Sequence, residues 1–274
     1  MKTTLSKYAL YEQAVQSPEL HRYWFHKIYE DLFRRRPHRL REDFCGTFLL
    51  SRSWVAAHPK NTALALDLDP EPLNYGKKNH LPALSPGAKK RLQILQQNVI
   101  SVTRPQSDLI VACNFSFCTF KDRKTLIAYF KKCRQSLANP GALVLELAGG
   151  PGMIGSLRET KMVRTTPQNS KNPKAREKFQ YIWDQRSFDP IQRNGHYAIH
   201  FKLADGRRLN NAFTYDWRMW TIPEVRDALL EAGYKETAVY WETEHGGRGT
   251  GEFVRIEKGD NAFSWVAYIA ALKH

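Results

Sequence analysis

Between residues 40 and 147 short apolar runs alternate with helical segments, and this alternation limits the fold more than any other feature of the chain. The runs cover residues 40–44, 62–68, 92–95, 109–114 and 142–147. The second reads TALALDL, with hardly a polar residue. A strand of that kind is covered on both faces, as in a parallel sheet with helices on each side. Cys45-Gly46-Thr47 turns the chain into a helix over 48–57. Asp69-Pro70-Glu71-Pro72 opens the next, with Asp69 as N-cap and Pro70 at the first helical position. A further helix spans 122–137, and Asn139-Pro140-Gly141 turns into the fifth strand. Strands alternating with helices are βαβ units around a parallel sheet.

The pattern changes on either side. Tyr8, Tyr11 and Val15 recur at helical spacing, and Ser17-Pro18-Glu19 starts a second helix whose apolar face holds Leu20, Tyr23, Trp24, Ile28 and Leu32. The basic run Arg34-Arg35-Arg36-Pro37-His38-Arg39 ends it. Residues 1–39 are therefore expected as a helical cap, and 40–274 as the main domain with an insertion at about 149–220. Residues 149–178, rich in Gly, Pro, Ser, Asn and Lys, read as a mobile segment. Three strand-like runs follow, at 179–188, 196–203 and 209–217, separated by the hairpin signals Asn194-Gly195 and Asp205-Gly206. An antiparallel β insertion after the fifth strand is the expectation. Thr221-Ile222-Pro223-Glu224 forms a capping box for a helix that ends at Gly233. The last two strands are placed at 237–242 and 263–272, with 245–251 as a flexible loop between them.

The chain has 274 residues, enough for one large domain with an insertion. Its 42 basic and 27 acidic residues leave a net charge of +15, which suits a nucleic acid, an anionic metabolite or simply a basic soluble enzyme. Cys45, Cys113, Cys118 and Cys133 make no Cys-x-x-Cys pair. With no matching His cluster a zinc site is not expected, and they read as reduced, semi-buried thiols of a cytoplasmic protein. No apolar run approaches the roughly 18 residues of a membrane span, and no secretory signal is visible, so a cytoplasmic location is expected.

Arg41-Glu42-Asp43-Phe44-Cys45-Gly46-Thr47 lies at the carboxyl end of the first strand, where open α/β sheets bind their ligands. Asp67 ends the second strand, and a carboxylate there can accept both hydroxyl hydrogens of a ribose. Gly46 allows the backbone to approach a ligand closely. Together these point to a nucleoside-containing cofactor.

In these residues the sequence resembles the class I S-adenosylmethionine-dependent methyltransferases. The run REDFCGT, followed by a strand ending in Asp-Leu-Asp-Pro-Glu, is similar to one bacterial branch of that family. The family's first motif usually reads acid-x-Gly-x-Gly-x-Gly. Glu42 and Gly46 stand at the acid and the middle glycine, and Phe44 and Phe48 replace the other two. The resemblance implies an α/β, Rossmann-like, seven-stranded and mostly parallel sheet with flanking helices, carrying the antiparallel insertion. It implies S-adenosylmethionine as cofactor. Glu42 would help to hold the ammonium, and Phe44, Cys45, Gly46 and Thr47 would pass close to the methionine part and ribose. Asp67 would bind the ribose hydroxyls, with Leu68 against the adenine. Asn98 would accept from the adenine amino group with help from the backbone of Val99. Asn114, Phe115 and Ser116 would lie beside the sulfonium and the entering substrate. Asn98 and Asn114 also read as ordinary turn residues. Asn114-Phe115-Ser116-Phe117 stands at the place of the Asn-Pro-Pro-aromatic motif of amino-methylating enzymes but lacks both prolines, so base-amino methylation is not inferred.

No catalytic base is marked in the sequence. Tyr8, Tyr11 and His26 in the N-terminal helices, and Tyr181, Trp183 and Arg218 in the insertion, can each line an acceptor site or simply pack. Tyr11, Trp183 and Arg218 are the acceptor-binding candidates, Arg218 for an anionic group. Three functional readings compete. The first is a methyltransferase acting on a small molecule, with the insertion as a roof over the acceptor. The second is an RNA or protein methyltransferase using the basic surface, including residues 161–178. The third is a non-catalytic nucleoside-binding protein. A dinucleotide dehydrogenase does not fit, because the first turn lacks Gly-x-Gly-x-x-Gly.

Overall fold

The computed structural model describes residues 6–165 and 177–274. These form two compact units, one built from Ser17–Gly150 with Trp220–His274, the other from Pro151–Met219 with the N-terminal segment up to Gln16. The two N-terminal helices, α1 (Lys7–Ala14) and α2 (Pro18–Phe33), belong to different units.

In the larger unit, β1 (Arg39–Asp43), β2 (Thr62–Asp67), β3 (Leu92–Gln96), β4 (Ser107–Ala112) and β5 (Leu137–Gly149) lie in the order β5-β4-β1-β2-β3, every neighbouring pair parallel. The βαβ reading of the sequence therefore holds. Helices α3 (Leu49–Ala57), α4 (Pro70–Asn79), the short α5 (Pro86–Lys89) and α6 (Arg123–Ser136) connect these strands. Their starts follow local chemistry. Asp69 caps α4 by accepting from Glu71 N at 2.9 Å, and Asp122 caps α6 by accepting from Thr125 N at 2.7 Å. On one sheet face Leu40, Leu109, Val111 and Val144 pack with Trp24, Phe25 and Ile28 of α2 and Trp54 of α3.

The smaller unit is a four-stranded antiparallel sheet in the order β6-β7-β8-β9, formed by β6 (Leu157–Thr165), β7 (Glu177–Asp189), β8 (Asn194–Leu203) and β9 (Arg208–Arg218). Leu10 of α1 packs with Val163, Phe179, Ile199 and Phe201 on one face of it. The expected insertion is present with one strand more than its three runs. Residues 157–165, expected as part of a mobile segment, are β6, paired with β7 from Leu157↔Gln185 to Thr165↔Glu177. The charges in LRETKMVRT hid it, but an edge strand tolerates charged residues. The rest of that expectation, residues 166–176, lies outside the described residues.

The chain then returns to the large sheet through α7 (Ile222–Glu231), whose Thr221/Glu224 capping box is formed as expected. The remaining strands, β10 (Glu236–His245), β11 (Arg248–Arg255) and β12 (Trp265–Lys273), extend the sheet as β11-β10-β12-β5 with antiparallel pairing. The sheet thus has eight strands, not seven. The supposed flexible loop at 245–251 is the turn and first half of β11. Gly246 and Gly247, at φ 58° and 75°, make the turn, and the Thr243 and Thr250 hydroxyls bond across the pair at 2.5 Å. No helix among the described residues is long and apolar enough to cross a membrane.

Candidate functional site

The loop that leaves β1 is tied to the end of β2. Cys45 N donates to Leu66 O at 2.9 Å, and Gly46 N donates to Asp67 Oδ2 at 2.7 Å. Asp69 N donates to Asp67 Oδ1 at 3.0 Å. Two backbone amides thus fix the half-buried Asp67 carboxylate. Of its roughly four lone-pair sites these use two, which leaves acceptors for a vicinal diol. Leu68, next in the chain, is 65% exposed, a high value for leucine.

Phe44, Gly46 and Phe48 have φ of 55°, 53° and 51°. The two phenylalanines therefore adopt the left-handed backbone that glycine favours, at roughly 1–2 kcal/mol each. Phe48 is buried with Cys45, Ala65 and Leu73. Gly76 of α4 makes room for it, because a Cβ there would lie 2.4 Å from the Phe48 ring and from Thr47 O. Phe44 sits beside the Phe120 and Tyr129 rings. A Cβ on Gly46 would meet nothing within 4 Å, so the loop has open space on that side. Cys45 and Thr47 are buried, and burial holds the Cys45 thiol well above its ordinary range.

Glu42 is buried and turned toward α3, accepting from Ser51 N at 2.8 Å and Ser51 Oγ at 2.5 Å. Burial pushes its carboxyl up to about 7, the Ser51 bonds oppose this, and the negative neighbours Asp67 and Asp43 add to it. Asp43, on the other sheet face, is paired with the buried Arg41 at 2.7 Å. Arg41 also donates to Val99 O at 2.6 Å and Ser101 O at 2.9 Å, which anchors the segment after β3. In that segment Asn98 Oδ1 accepts from Ile100 N at 2.8 Å. Asn98 thus makes the turn contact of the plainer reading, which uses one of the two lone pairs of its side-chain oxygen, and Val99 is buried.

At the exit of β4, Asn114 and Phe115 are both left-handed, at φ 52° and 58°. Ser116 spends its hydroxyl on Cys113 O at 2.7 Å, closing the turn. Asn114 N donates to Glu146 Oε2 on β5 at 2.6 Å. Sequence reasoning missed Glu146. The available signal was a lone charge inside a strand otherwise buried on both faces. His21 of α2 brings Nε2 to 3.9 Å from Glu146 Oε1 and was also missed. Arg41 and Gly76 were the other unassigned contributors.

The smaller unit separates the acceptor candidates. Trp183 is in contact with Tyr197, Tyr215 and Trp217 at ring-centroid distances of 5.4, 6.1 and 6.3 Å. Tyr11 packs on the same face, where its hydroxyl bonds that of Tyr215. Arg218 follows Trp217 in β9, so strand alternation sends it to the opposite face. Tyr11 and Trp183 are brought together, and Arg218 is not. Tyr8 lies edge-on to Phe213 at 5.8 Å, and Tyr181 is near Phe201. His26, in the larger unit, stacks on Trp54 at 4.6 Å. Burial and the Arg36 charge lower its pKa to about 4. Trp54 bonds His38 O before β1, so His26 lies toward the amino ends of the strands, away from the loops just described.

The basic run lies at that amino end as well and is largely engaged internally. Arg35 donates to the Tyr29 hydroxyl at 2.9 Å, Arg36 to Glu30 at 2.7 Å and Arg39 to Asp108 at 2.6 Å. Lys171, Lys174 and Arg176 lie outside the described residues. Among the described residues, no group of three or more His, Cys, Asp or Glu side chains is arranged to hold a metal ion.

No protein-family model and no curated protein matches the sequence. Solved structures do. The chain is similar to CalS10, an amino pentose methyltransferase from Micromonospora echinaspora, at 18% identity, with 98% of each chain covered and a TM-score of 0.66. An S-adenosylmethionine-dependent methyltransferase from Clostridium acetobutylicum ATCC 824 matches at 15% identity over 95% of each chain, with a TM-score of 0.64. The sugar N-methyltransferase KedS8 from Streptoalloteichus sp ATCC 53650 matches at 14% identity over 97% of this chain and 94% of that chain, with a TM-score of 0.62. The protein therefore has the mixed α/β, Rossmann-like fold of these methyltransferases.

Proposed function

We propose that the protein is an S-adenosylmethionine-dependent methyltransferase of the REDFCGT-bearing branch, acting on a small-molecule acceptor by in-line displacement. The observation that carries this reading is the Asp67 carboxylate, fixed by Gly46 N and Asp69 N at the carboxyl end of β2 beside the exposed Leu68. Those groups suit a ribose diol and an adenine face. The open space over Gly46 suits a ligand lying along the loop, and Glu42, buried among negative neighbours, suits an ammonium. The residues present therefore fit the cofactor. When bound, it supplies a methyl group already activated on a sulfonium, so the protein's part is to position and to exclude water.

The fold neighbours named above act on an amino pentose and a sugar, which favours the small-molecule reading. The RNA reading draws no support from the described arginines of the basic run, which lie at the amino ends of the strands. Calorimetry with S-adenosylmethionine and S-adenosylhomocysteine tests the proposal. Both should bind, and Asp67→Ala should lose up to two charge-assisted bonds, about 1.5–3 kcal/mol each. Absence of binding by the unaltered protein would overturn the reading, and unchanged affinity in the variant would remove Asp67 from it.

A further inference from the structure

Every strand of the small sheet contributes one cation to a band across one end of it. Arg164 of β6 lies directly opposite Lys178 of β7, and Lys202 of β8 directly opposite Arg208 of β9. Gln180, two residues along from Lys178, is opposite Lys202, so Lys178 and Lys202 are diagonal neighbours. Opposite residues share a face, and so do residues two apart along a strand. All four therefore project from the face that does not carry Val163, Phe179 and Phe201, where Leu10 packs. Neighbouring strands are about 4.8 Å apart, so the band is about 14 Å long. Arg164, Lys178 and Arg208 are exposed and Lys202 is half-buried. Among the described residues, no carboxylate forms an ion pair with any of the four. Asp184 and Asp216, farther along this face, are paired with His200 at 3.1 Å and His196 at 3.6 Å.

Like charges directly opposite one another destabilise a strand pair, and here two such pairs stand side by side. Edge strands carry charge to discourage stray pairing, which accounts for Arg164 and Arg208 alone. Lys178 and Lys202 are on interior strands, where no edge needs protection. A partner with several linked negative charges relieves the repulsion along the whole band. The face bears no Phe, Tyr or Trp among the described residues, since rings such as Tyr181, Trp183 and Trp217 project from the other face. Bases of a single strand thus have no platform to stack on, and the face suits the phosphate backbone of a duplex. Gln180 within the band and Thr160 beside it are neutral hydrogen-bonding groups, as a 2′-hydroxyl requires. Met162 alone of the exposed large apolar side chains lies on this face, too few to seat it in a bilayer. We propose that this face is a docking surface for double-stranded RNA, held through its phosphates without regard to sequence. It is separate from the basic run at residues 34–39, which belongs to the other unit, and it does not depend on the cofactor reading.

Fluorescence anisotropy with a labelled RNA duplex of about 16 base pairs tests this on the full chain. The protein should bind at about 50 mM salt and lose roughly 100-fold in affinity by about 200 mM, as counterions released from four phosphates require. The quadruple variant Arg164→Gln, Lys178→Gln, Lys202→Gln, Arg208→Gln should bind at least about tenfold more weakly at the lower salt. Its plot of log affinity against log salt should be shallower by about one unit for each cation removed. Removing opposed like charges should leave its urea midpoint no lower than that of the unaltered protein. Should it fail to fold, Lys178→Gln with Lys202→Gln decides, and about two units of slope should go. Lys77→Gln, Lys78→Gln, Lys89→Gln, Lys90→Gln removes as many exposed charges from the other unit and should stay within about threefold of the unaltered affinity. Equal weakening by that control would show that net charge alone binds the RNA, and the proposal would fall. No binding by the unaltered protein at the lower salt, equal binding to a DNA duplex of the same sequence, or tighter binding to phosphatidylserine vesicles would each overturn it as well.

Discussion

Replacing Glu42 by Gln should make the protein more stable at alkaline pH. The side chain is buried, and burial, with repulsion from Asp67 and Asp43, raises its carboxyl from 4.5 to about 7. Below pH 4.5 the carboxyl is protonated in both folded and unfolded chains and contributes nothing to pH dependence. Between 4.5 and 7 the unfolded chain loses its proton while the folded one keeps it, so stability falls as pH rises. Above about 7 the loss is complete. At about 1.36 kcal/mol per pH unit it comes to about 3 kcal/mol. Glutamine is uncharged throughout, and its amide oxygen can still accept from Ser51 N and Ser51 Oγ. Glu42→Gln should therefore match the unaltered protein near pH 4 and exceed it by about 3 kcal/mol at pH 8, or roughly 6–10 °C in Tm. Urea titrations of both proteins across this range, taken as a difference at each pH, measure it. A difference that does not change with pH would refute the argument. Ligand binding should show the opposite preference. If Glu42 holds an ammonium, S-adenosylmethionine binds more tightly at pH 8 than at pH 6 in the unaltered protein, and the variant loses both the affinity and its pH dependence.

Two further substitutions probe the loop. Gly46→Ala puts a Cβ into the open space at a position with φ 53° and should abolish S-adenosylhomocysteine binding in calorimetry. Gly206→Ala, with φ 88° and equally open surroundings in the other unit, is the control and should bind normally. Gly76→Ala, whose Cβ would meet Phe48 and Thr47 O at 2.4 Å, should cost about 1–3 kcal/mol in urea denaturation.

The parallel half of the sheet was legible because its signals are local. Apolar runs and the Asp69 cap each act over a few residues, whereas Asn139-Pro140-Gly141, expected as a turn before the fifth strand, lies within β5 where its pairing with β4 shifts register. The β6 and β11 strands were not legible. Both are edge strands whose polar sequences resemble loops, and pairing with one neighbour holds them in place. At the candidate site, Asp67 and Gly46 could be picked out because a strand end and a turn announce themselves. Glu146 and His21 could not be paired, since they are far apart in sequence and meet only after α2 packs on the sheet. Asn98 shows the converse limit. Its residue type fits a ligand contact and a turn alike, and the structure adds that one lone pair of the oxygen serves the turn.

The Phe48–Gly76 contact has an evolutionary consequence. A loop that exchanges glycine for a large aromatic ring needs a hollow elsewhere, and here the hollow is in the helix after β2. The requirement for a side chain reduced to hydrogen has been passed from one element to another. Among descendants of such a chain, a large ring at 48 should be found only with glycine at 76. Glycine at 76 answers to the loop backbone too, since Thr47 O lies as close as the ring, so a small residue at 48 would not by itself admit alanine there. A pattern written in letters loses sight of this exchange, whereas the backbone torsions of the loop carry it unchanged.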